Sequence, residues 1–385
     1  MANENIEIKH KAIKYRLYPT KEQVVFFAKS FGCCRKIWNL MLSDRIDAYK
    51  ETGKTVKKTP AMYKDECPYL REVDSLALSG VYVNLDRAFS NFFDKRADFP
   101  KFKSKKKARK AYITNNQNGT IALKPKAIKL PKMGLVRAKI HITPKSSWRL
   151  KLATICQESD GSYYASVLFE YEEKTKTLNE DVLSNSDRCL GLDYKSDGLY
   201  MDSNGHIGSN HKYYRESQNK LAKEQRRLSR KIGSKKRETK SNNYLKQEKK
   251  VNKIHRHIAN QRRDNLHKIS NEIANHYDVL CVETLNMKNM SNKGFGNGKA
   301  TMDNGYGMFL NMLEYKLKDR GKFFVKVDKF YPSSQICSAC GHKKTLSLDE
   351  RVYKCDCGNI IDRDLNAALN IKKEGLRLLE EILTA

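Results

Sequence analysis

Four cysteines late in the chain have spacing that can do chemistry. Cys337 and Cys340 are separated by two residues, and Cys355 and Cys357 by one, with fourteen residues between the pairs. Two sulfur pairs on two short knuckles can close a tetrahedron around Zn²⁺. Gly341 and Gly358 follow the pairs and permit tight turns. The second pair is one residue shorter than a usual knuckle, and His342 is an alternative ligand; four sulfurs are the preferred set. Such a site is structural, because four thiolates leave no open position for water.

Three acidic positions form the second signal. Asp193 ends the apolar run RCLGLD, Glu283 ends YDVLCVE, and Asp362 or Asp364 opens the closing helix. RNase H-like folds place carboxylates at such element ends. Two metals about 4 Å apart then flank a scissile phosphate, one activating water and the other steadying the leaving oxygen. Hard oxygen ligands suit Mg²⁺ or Mn²⁺. Each acid alone has a plainer reading. Asp193 can be a turn residue, Glu283 can pair with a lysine, and Asp364 can cap a helix.

The third signal is charge. The chain holds 75 Lys or Arg against 44 Asp or Glu, a formal +31. That excess predicts a polyanionic partner, nucleic acid above all. Residues 211–270 hold 20 Lys or Arg against 5 Asp or Glu, nearly half of it. Arg226, Arg227 and Arg230 are candidates for a phosphate-facing wall. Arg262 sits inside an apolar stripe, where an arginine snorkels, pairs with an acid or meets a phosphate. Lys101 and Lys103, interleaved with Phe99 and Phe102, can track single-stranded backbone, although the two Phe can equally be core anchors. No helix-turn-helix signature or run of tandem fingers is evident. No apolar run reaches about eighteen residues, so nothing is expected to span a membrane. The other six cysteines are scattered and most of them read as small core residues, a reducing-compartment pattern.

The elements that must position these groups can be read in outline. KAIKYRLY (11–18) alternates and predicts a strand, and Thr20 caps a helix over about 21–50. Leu78, Tyr82, Leu85, Phe89 and Phe92 mark one face of a helix over 75–94. Period-two segments from about 120 to 173 predict strands, including a hairpin around SDG at 159–161. The N-terminal half therefore reads as a β-barrel with a helical insertion. A linker is expected over 172–187, one long helical region over 212–277, a mobile Gly-rich loop over 292–307 and a strand over 322–327.

The order of these motifs resembles the TnpB family. GLDYK at 191, VLCVETL at 279, SSQICSACG at 333, YKCDCG at 353 and DRDLNAALNI at 362 follow its pattern, as do RLYPTKEQ at 16 and FGCCRKIWN at 31. The resemblance covers nearly the whole chain. It implies an α+β multidomain fold. A β-barrel wedge (1–32 and 107–185) would carry a helical recognition domain (33–106). An RNase H-like RuvC nuclease domain (186–330 and 361–385) would carry a zinc-ribbon insert (331–360). It implies Asp193, Glu283 and Asp364 as catalytic ligands of Mg²⁺ or Mn²⁺, with Asp362 set aside. It also implies an omega-type guide RNA from the transposon end, double-stranded target DNA bearing a short adjacent motif, and a cytoplasmic, nucleoid-associated setting. Ser75 and Ser79 stand where the family often places long polar side chains that read that motif, so the motif preference is not expected to transfer. The rival readings are a miniature type V CRISPR effector using a crRNA, a guide-directed repressor that does not cut, and a transposase that joins DNA ends.

Overall fold

The computed structural model describes residues 6–174, 183, 185–209, 211–232, 240–291, 298–347 and 350–384. The chain divides into two compact units, Met1–Lys174 and Thr175–Ala385.

The first unit opens with β1 (Ile6–Leu17), whose alternating residues bury Ile13, Tyr15 and Leu17. Thr20 and Gln23 form a reciprocal capping box at the start of α1 (Lys21–Thr52), and Gly53 ends it in the left-handed region at φ 68°. Asp74 caps α2 (Ser75–Phe93). Six strands follow: β2 (Lys110–Asn115), β3 (Ala122–Lys124), β4 (Ala127–Leu130), β5 (Gly134–Lys139), β6 (Arg149–Gln157) and β7 (Tyr163–Lys174). They join β1 in one seven-stranded sheet, in the order β2-β6-β7-β1-β5-β4-β3. Every pairing is antiparallel. This order has two ends, and backbone pairing among the described residues does not join β2 to β3. α1 runs unbroken past residue 32. Phe27, Ile37, Met41, Leu78 and Leu85 pack with the inward sheet residues into one core.

The second unit is built on a four-stranded sheet. Its elements are β8 (Cys189–Tyr194), β9 (Tyr200–Asp202), α3 (Tyr213–Arg230), α4 (Asn242–His276), β10 (Val279–Glu283), α5 (Met287–Met290), α6 (Gly298–Asn304), α7 (Tyr306–Asp319), β11 (Phe323–Val327), β12 (Val352–Lys354), β13 (Ile360–Asp362) and α8 (Arg363–Thr384). The sheet order is β11-β10-β8-β9, with β11, β10 and β8 parallel and β9 antiparallel. Up to Asp193 and Glu283, β8 and β10 are apolar because both faces are covered, by the cluster around Leu266, Phe309 and Leu313 and by that around Ile371 and Leu379. β12 and β13 form a separate ribbon.

Three expectations change. The helical region over 212–277 is two helices, α3 and α4, with 233–239 outside the described residues. Of the Gly-rich loop expected over 292–307, residues 292–297 lie outside the described residues, and the rest is α6 and the start of α7. Gly305, at φ +65°, is the joint between them. The small polar residues before it are buried and bonded: Asp303 accepts from Arg262 and from the Tyr214 N–H, and Asn304 donates to the Ser196 carbonyl. Composition there imitates a loop because the side chains work as hydrogen-bonding struts. The linker expected over 172–187 begins inside β7, and residues 175–182 and 184 lie outside the described residues.

Candidate active site, zinc knuckle and basic surface

β8 and β10 pair in parallel register up to Leu192 beside Val282, so Asp193 and Glu283 are the next neighbours at the C-terminal ends of adjacent strands. In-register residues of parallel neighbours share a face. The third acid comes from α8, which packs on β8, β10 and β11. Two glycines permit this seating. A Cβ on Gly191 would lie 2.2 Å from the Ala368 carbonyl oxygen, and one on Gly375 would lie 2.4 Å from Cys281 Sγ. The helix therefore approaches the sheet more closely than side chains at these positions would allow.

The alternatives left open at α8 separate here. Asp362 Oδ1 accepts from the backbone N–H groups of Asp364 (2.9 Å) and Leu365 (3.1 Å), so Asp362 caps the helix. Asp364 faces inward instead, and the Lys195 ammonium donates to its Oδ2. Arg363 Nε lies 3.9 Å from its other oxygen. Burial pushes the Asp193 carboxyl well above the usual range, and the charges of Glu283 and Asp364 push it further, against the pull of Arg363 and Lys195. Burial also raises Glu283. Lys195 is raised: burial alone would lower it, but the bond to Asp364 together with the charges of Asp364, Asp197 and Asp362 more than offsets that.

Three clustered carboxylates, two of them strained toward the neutral form, fit a divalent cation of the Mg²⁺ or Mn²⁺ class. A second observation agrees. The Tyr306 hydroxyl is buried, has no hydrogen-bond partner among the described residues, and feels the charges of both Asp193 and Glu283. The carboxylates do not converge as tightly as the cysteines. Among the described residues, only the four sulfurs bring their ligand atoms within 4.8 Å of one another. A pair of metals about 4 Å apart spreads its ligands, so three acids that share two ions need not converge as four sulfurs do on one.

The cysteines meet the tetrahedral test. Cys337 and Cys357 sulfurs lie 3.8 Å apart and those of Cys340 and Cys355 3.6 Å apart. Four Zn–S bonds of about 2.3 Å require S···S separations near ~3.8 Å. Gly341 and Gly358 adopt φ 78° and 88°, and their N–H groups return to the Cys337 and Cys355 carbonyls. The Asn359 amide donates to Cys337 Sγ at 3.4 Å, which favours the thiolate. His342 joins the knuckle through its carbonyl, which accepts from the Cys337 N–H. The four sulfurs fit one structural Zn²⁺, and His342 is not needed.

Sequence reasoning missed what ties this knuckle to the acids. Asn366 and Asn370, both fully buried, project from α8. Asn366 donates to the Ile336 carbonyl (2.7 Å) and accepts from the Ser338 N–H (2.9 Å). Asn370 donates to the Ser333 and Ile336 carbonyls. The helix that carries Asp364 thus also clamps the first cysteine knuckle. The available signal was two amides four residues apart in the stripe that holds Ala367 and Ile371.

The basic candidates divide. Arg226 and Arg230 are exposed on α3, whereas Arg227 pairs with Glu224 at 2.7 Å. Arg262 pairs with buried Asp303, which explains its place in an apolar stripe. Ser75 and Ser79 are exposed on the first turn of α2, and the Ser75 hydroxyl accepts from Lys64. Lys101 is exposed and its carbonyl accepts from the Trp38 indole. The Lys103 ammonium lies 3.3 Å from the Trp38 ring centroid. It borders a cavity of about 270 Å³ with an apolar floor at Phe31 and Tyr112 and a polar rim of Arg35, Asn84 and Arg109. Phe99 packs edge-on against Phe89 and Phe92 while staying exposed, and Phe102 is exposed as well. The scattered cysteines are buried, except Cys67, which is half-buried. No helix among the described residues is long and apolar enough to cross a membrane.

Three family models match the chain. One described as a helix-turn-helix domain matches residues 9–54, which here are most of β1 and all of α1, a single unbroken helix. One described as "Probable transposase" matches 169–294, and one described as a Cas12f1-like TNB domain matches 306–371. "TnpB-like protein L79" of Acanthamoeba polyphaga mimivirus is 34% identical over 36% of this chain and 28% of its own length. "Putative RNA-guided DNA endonuclease InsQ" of Escherichia coli (strain K12) is 29% identical over 96% of this chain and 93% of its own length. A Streptomyces pristinaespiralis protein with the same descriptive name is 32% identical over 95% of this chain and 89% of its own. The chain belongs to the TnpB family. The fold agrees. The Cas12f1 chain of a cryo-EM complex with single-guide RNA and target DNA superposes with a TM-score of 0.56 at 16% identity, covering 92% of this TnpB-family chain and 83% of that one.

Proposed function

We propose that this protein is an RNA-guided DNA endonuclease that hydrolyses phosphodiesters at Asp193, Glu283 and Asp364. One observation carries the reading: Asp193 and Glu283 end adjacent parallel strands in register, and Gly191 and Gly375 seat the helix bearing Asp364 against those same strands. Mg²⁺ or Mn²⁺ bound there would supply an activated water and charge stabilisation for the leaving oxygen. The protein's own part is to hold three acids on one side of the strand ends, to withhold them from bulk water and to orient them from a rigid sheet and helix. Asp362 caps α8 and so fixes where Asp364 stands. Tyr306 supplies a hydroxyl for a group bound at the two strand-end carboxylates.

The names of the relatives support guidance by RNA, and so does charge. A net +31, with residues 9–54 forming a strand and one unbroken helix rather than a helix-turn-helix, suits a protein that holds backbone and leaves sequence to base pairing. Arg226 and Arg230 on α3, and Lys101, Lys103 and Phe102 in the first unit, are the side chains offered to phosphate and base. The zinc knuckle, clamped to α8, belongs to the nuclease unit, and a short DNA motif beside the target licenses opening of the duplex.

Guided cleavage and guided binding, measured side by side, test this. Protein freed of RNA is expected to be inert on duplex DNA in Mg²⁺, and cognate RNA to restore cutting of matched DNA. Asp193→Ala, Glu283→Ala and Asp364→Ala should each abolish cutting while guided binding persists, and Asp362→Ala should keep much of it. Efficient cutting by RNA-free protein would overturn guidance. A dead Asp362→Ala beside an active Asp364→Ala would reverse the assignment in α8.

A further inference from the structure

Lys195 stands two residues beyond Asp193 and donates to Asp364 from across the site. Both side chains are largely enclosed, at 17% and 15% exposure. The backbone holds the lysine there. Its carbonyl accepts from the buried Asn304 amide at 3.3 Å, and the amide also reaches the Ser196 carbonyl at 3.1 Å. Arg363, the other cation beside Asp364, stays 3.9 Å from it. No charged side chain bonds Asp193 or Glu283 among the contacts described. The site is therefore unevenly balanced: one acid is bonded to a built-in ammonium, while Asp193 feels Arg363 and Lys195 only as nearby charges.

We infer that Lys195 is a resident counter-cation of the nuclease site. It keeps the three acids assembled when no metal is bound, and a divalent cation must displace it from Asp364. This rests on the carboxylates being the metal site proposed above. Lys195 is thus a positioning residue that sets metal affinity, with opposite effects on the empty and the loaded site. An enclosed ammonium in contact with a carboxylate relieves the repulsion among like charges when the site is empty. The same charge opposes a divalent ion arriving at the same oxygens. A lysine that merely packed would stabilise both states alike.

The test uses full-length, zinc-loaded protein freed of nucleic acid, with Mn²⁺ as the probe. Free Mn²⁺ is followed by electron paramagnetic resonance, and melting temperature is measured with and without Mn²⁺. Lys195→Met is expected to tighten Mn²⁺ binding about tenfold, a modest figure for removing one unit charge in contact with a ligand oxygen. It should also lower the melting temperature of the metal-free protein, and saturating Mn²⁺ should erase that loss. Lys195→Gln should behave as Lys195→Met, and Lys195→Arg should stay near the native protein. Unchanged or weaker Mn²⁺ binding in both neutral variants, or an equal melting loss with and without Mn²⁺, overturns the inference while leaving the metal site intact. If Asp193→Asn leaves Mn²⁺ binding unaltered in both the native and Lys195→Met backgrounds, the carboxylates hold no metal, and the reading and the inference fall together.

Discussion

Gly191→Ala is the most severe small change available to this site. The added methyl would stand 2.2 Å from the Ala368 carbonyl oxygen, 2.8 Å from the Lys372 nitrogen and 2.9 Å from Lys372 Cβ. Non-bonded heavy atoms settle near ~3.5 Å, so relief requires about 1 Å of movement. Two of the three obstacles are backbone of α8, so the helix must retreat as a body. Overpacking of this kind costs about 1–3 kcal/mol. For a unit of some two hundred residues that lowers the melting temperature by roughly 2–12 °C. The retreat also carries Asp364 away from Asp193, which lies two residues along β8 from the clash. A 1 Å misplacement in a positioned site can cost about a hundredfold in rate. Calorimetry and guided cleavage under single turnover measure the two effects. Gly32→Ala is the control: it lies within α1 with nothing within 4 Å of its would-be Cβ. There the exchange should be neutral or stabilising by about 0.5–1 kcal/mol. A Gly191→Ala protein with native melting and native cleavage would refute the idea that close seating of α8 sets the carboxylate geometry.

Asn366→Ala leaves the Ser338 N–H without its partner and the Ile336 carbonyl with Asn370 alone, at about 1–3 kcal/mol; faster chelator-driven zinc loss than in the native protein checks it, and an unchanged rate would count against the clamp. Lys316 is buried against the His267 carbonyl and the Ser270 hydroxyl, and burial lowers it to about 8. The folded state then releases this proton near pH 8 and the unfolded chain near ~10.4, so between the two the unfolded chain binds more protons and stability rises with pH. Below pH 8 the penalty is complete, with a ceiling of roughly 3 kcal/mol. Lys316→Met should stabilise the protein at pH 7 and remove the rise between pH 8 and 10, as read from melting curves in matched salt. Replacing Arg226 and Arg230 with Gln should flatten the salt dependence of nucleic-acid binding by roughly 0.7–0.9 per lost phosphate contact. Arg227→Gln, already paired with Glu224, should flatten it less; equal effects would refute that distinction.

Local features were legible before folding was considered. The two cysteines of each pair are at most three positions apart, with Gly341 and Gly358 supplying the turns, so the metal geometry follows from short chain segments. Asp193 and Glu283 were visible because an apolar run with both faces buried stops at each, and Thr20 because a cap is decided within three residues. What tertiary structure decided are contacts between residues far apart in the chain. Asp364 and Lys195 are 169 residues apart, and Arg262 and Asp303 are 41 apart. A charge shows its sign in the sequence but not its partner. For that reason Arg262 could be read as a phosphate contact until Asp303 was located. The choice between Asp362 and Asp364 waited on which side chain turns back to cap α8. Gly191 and Gly375 gave no sign at all. A glycine is silent about what approaches it, and only the packed sheet and helix show that no side chain fits there.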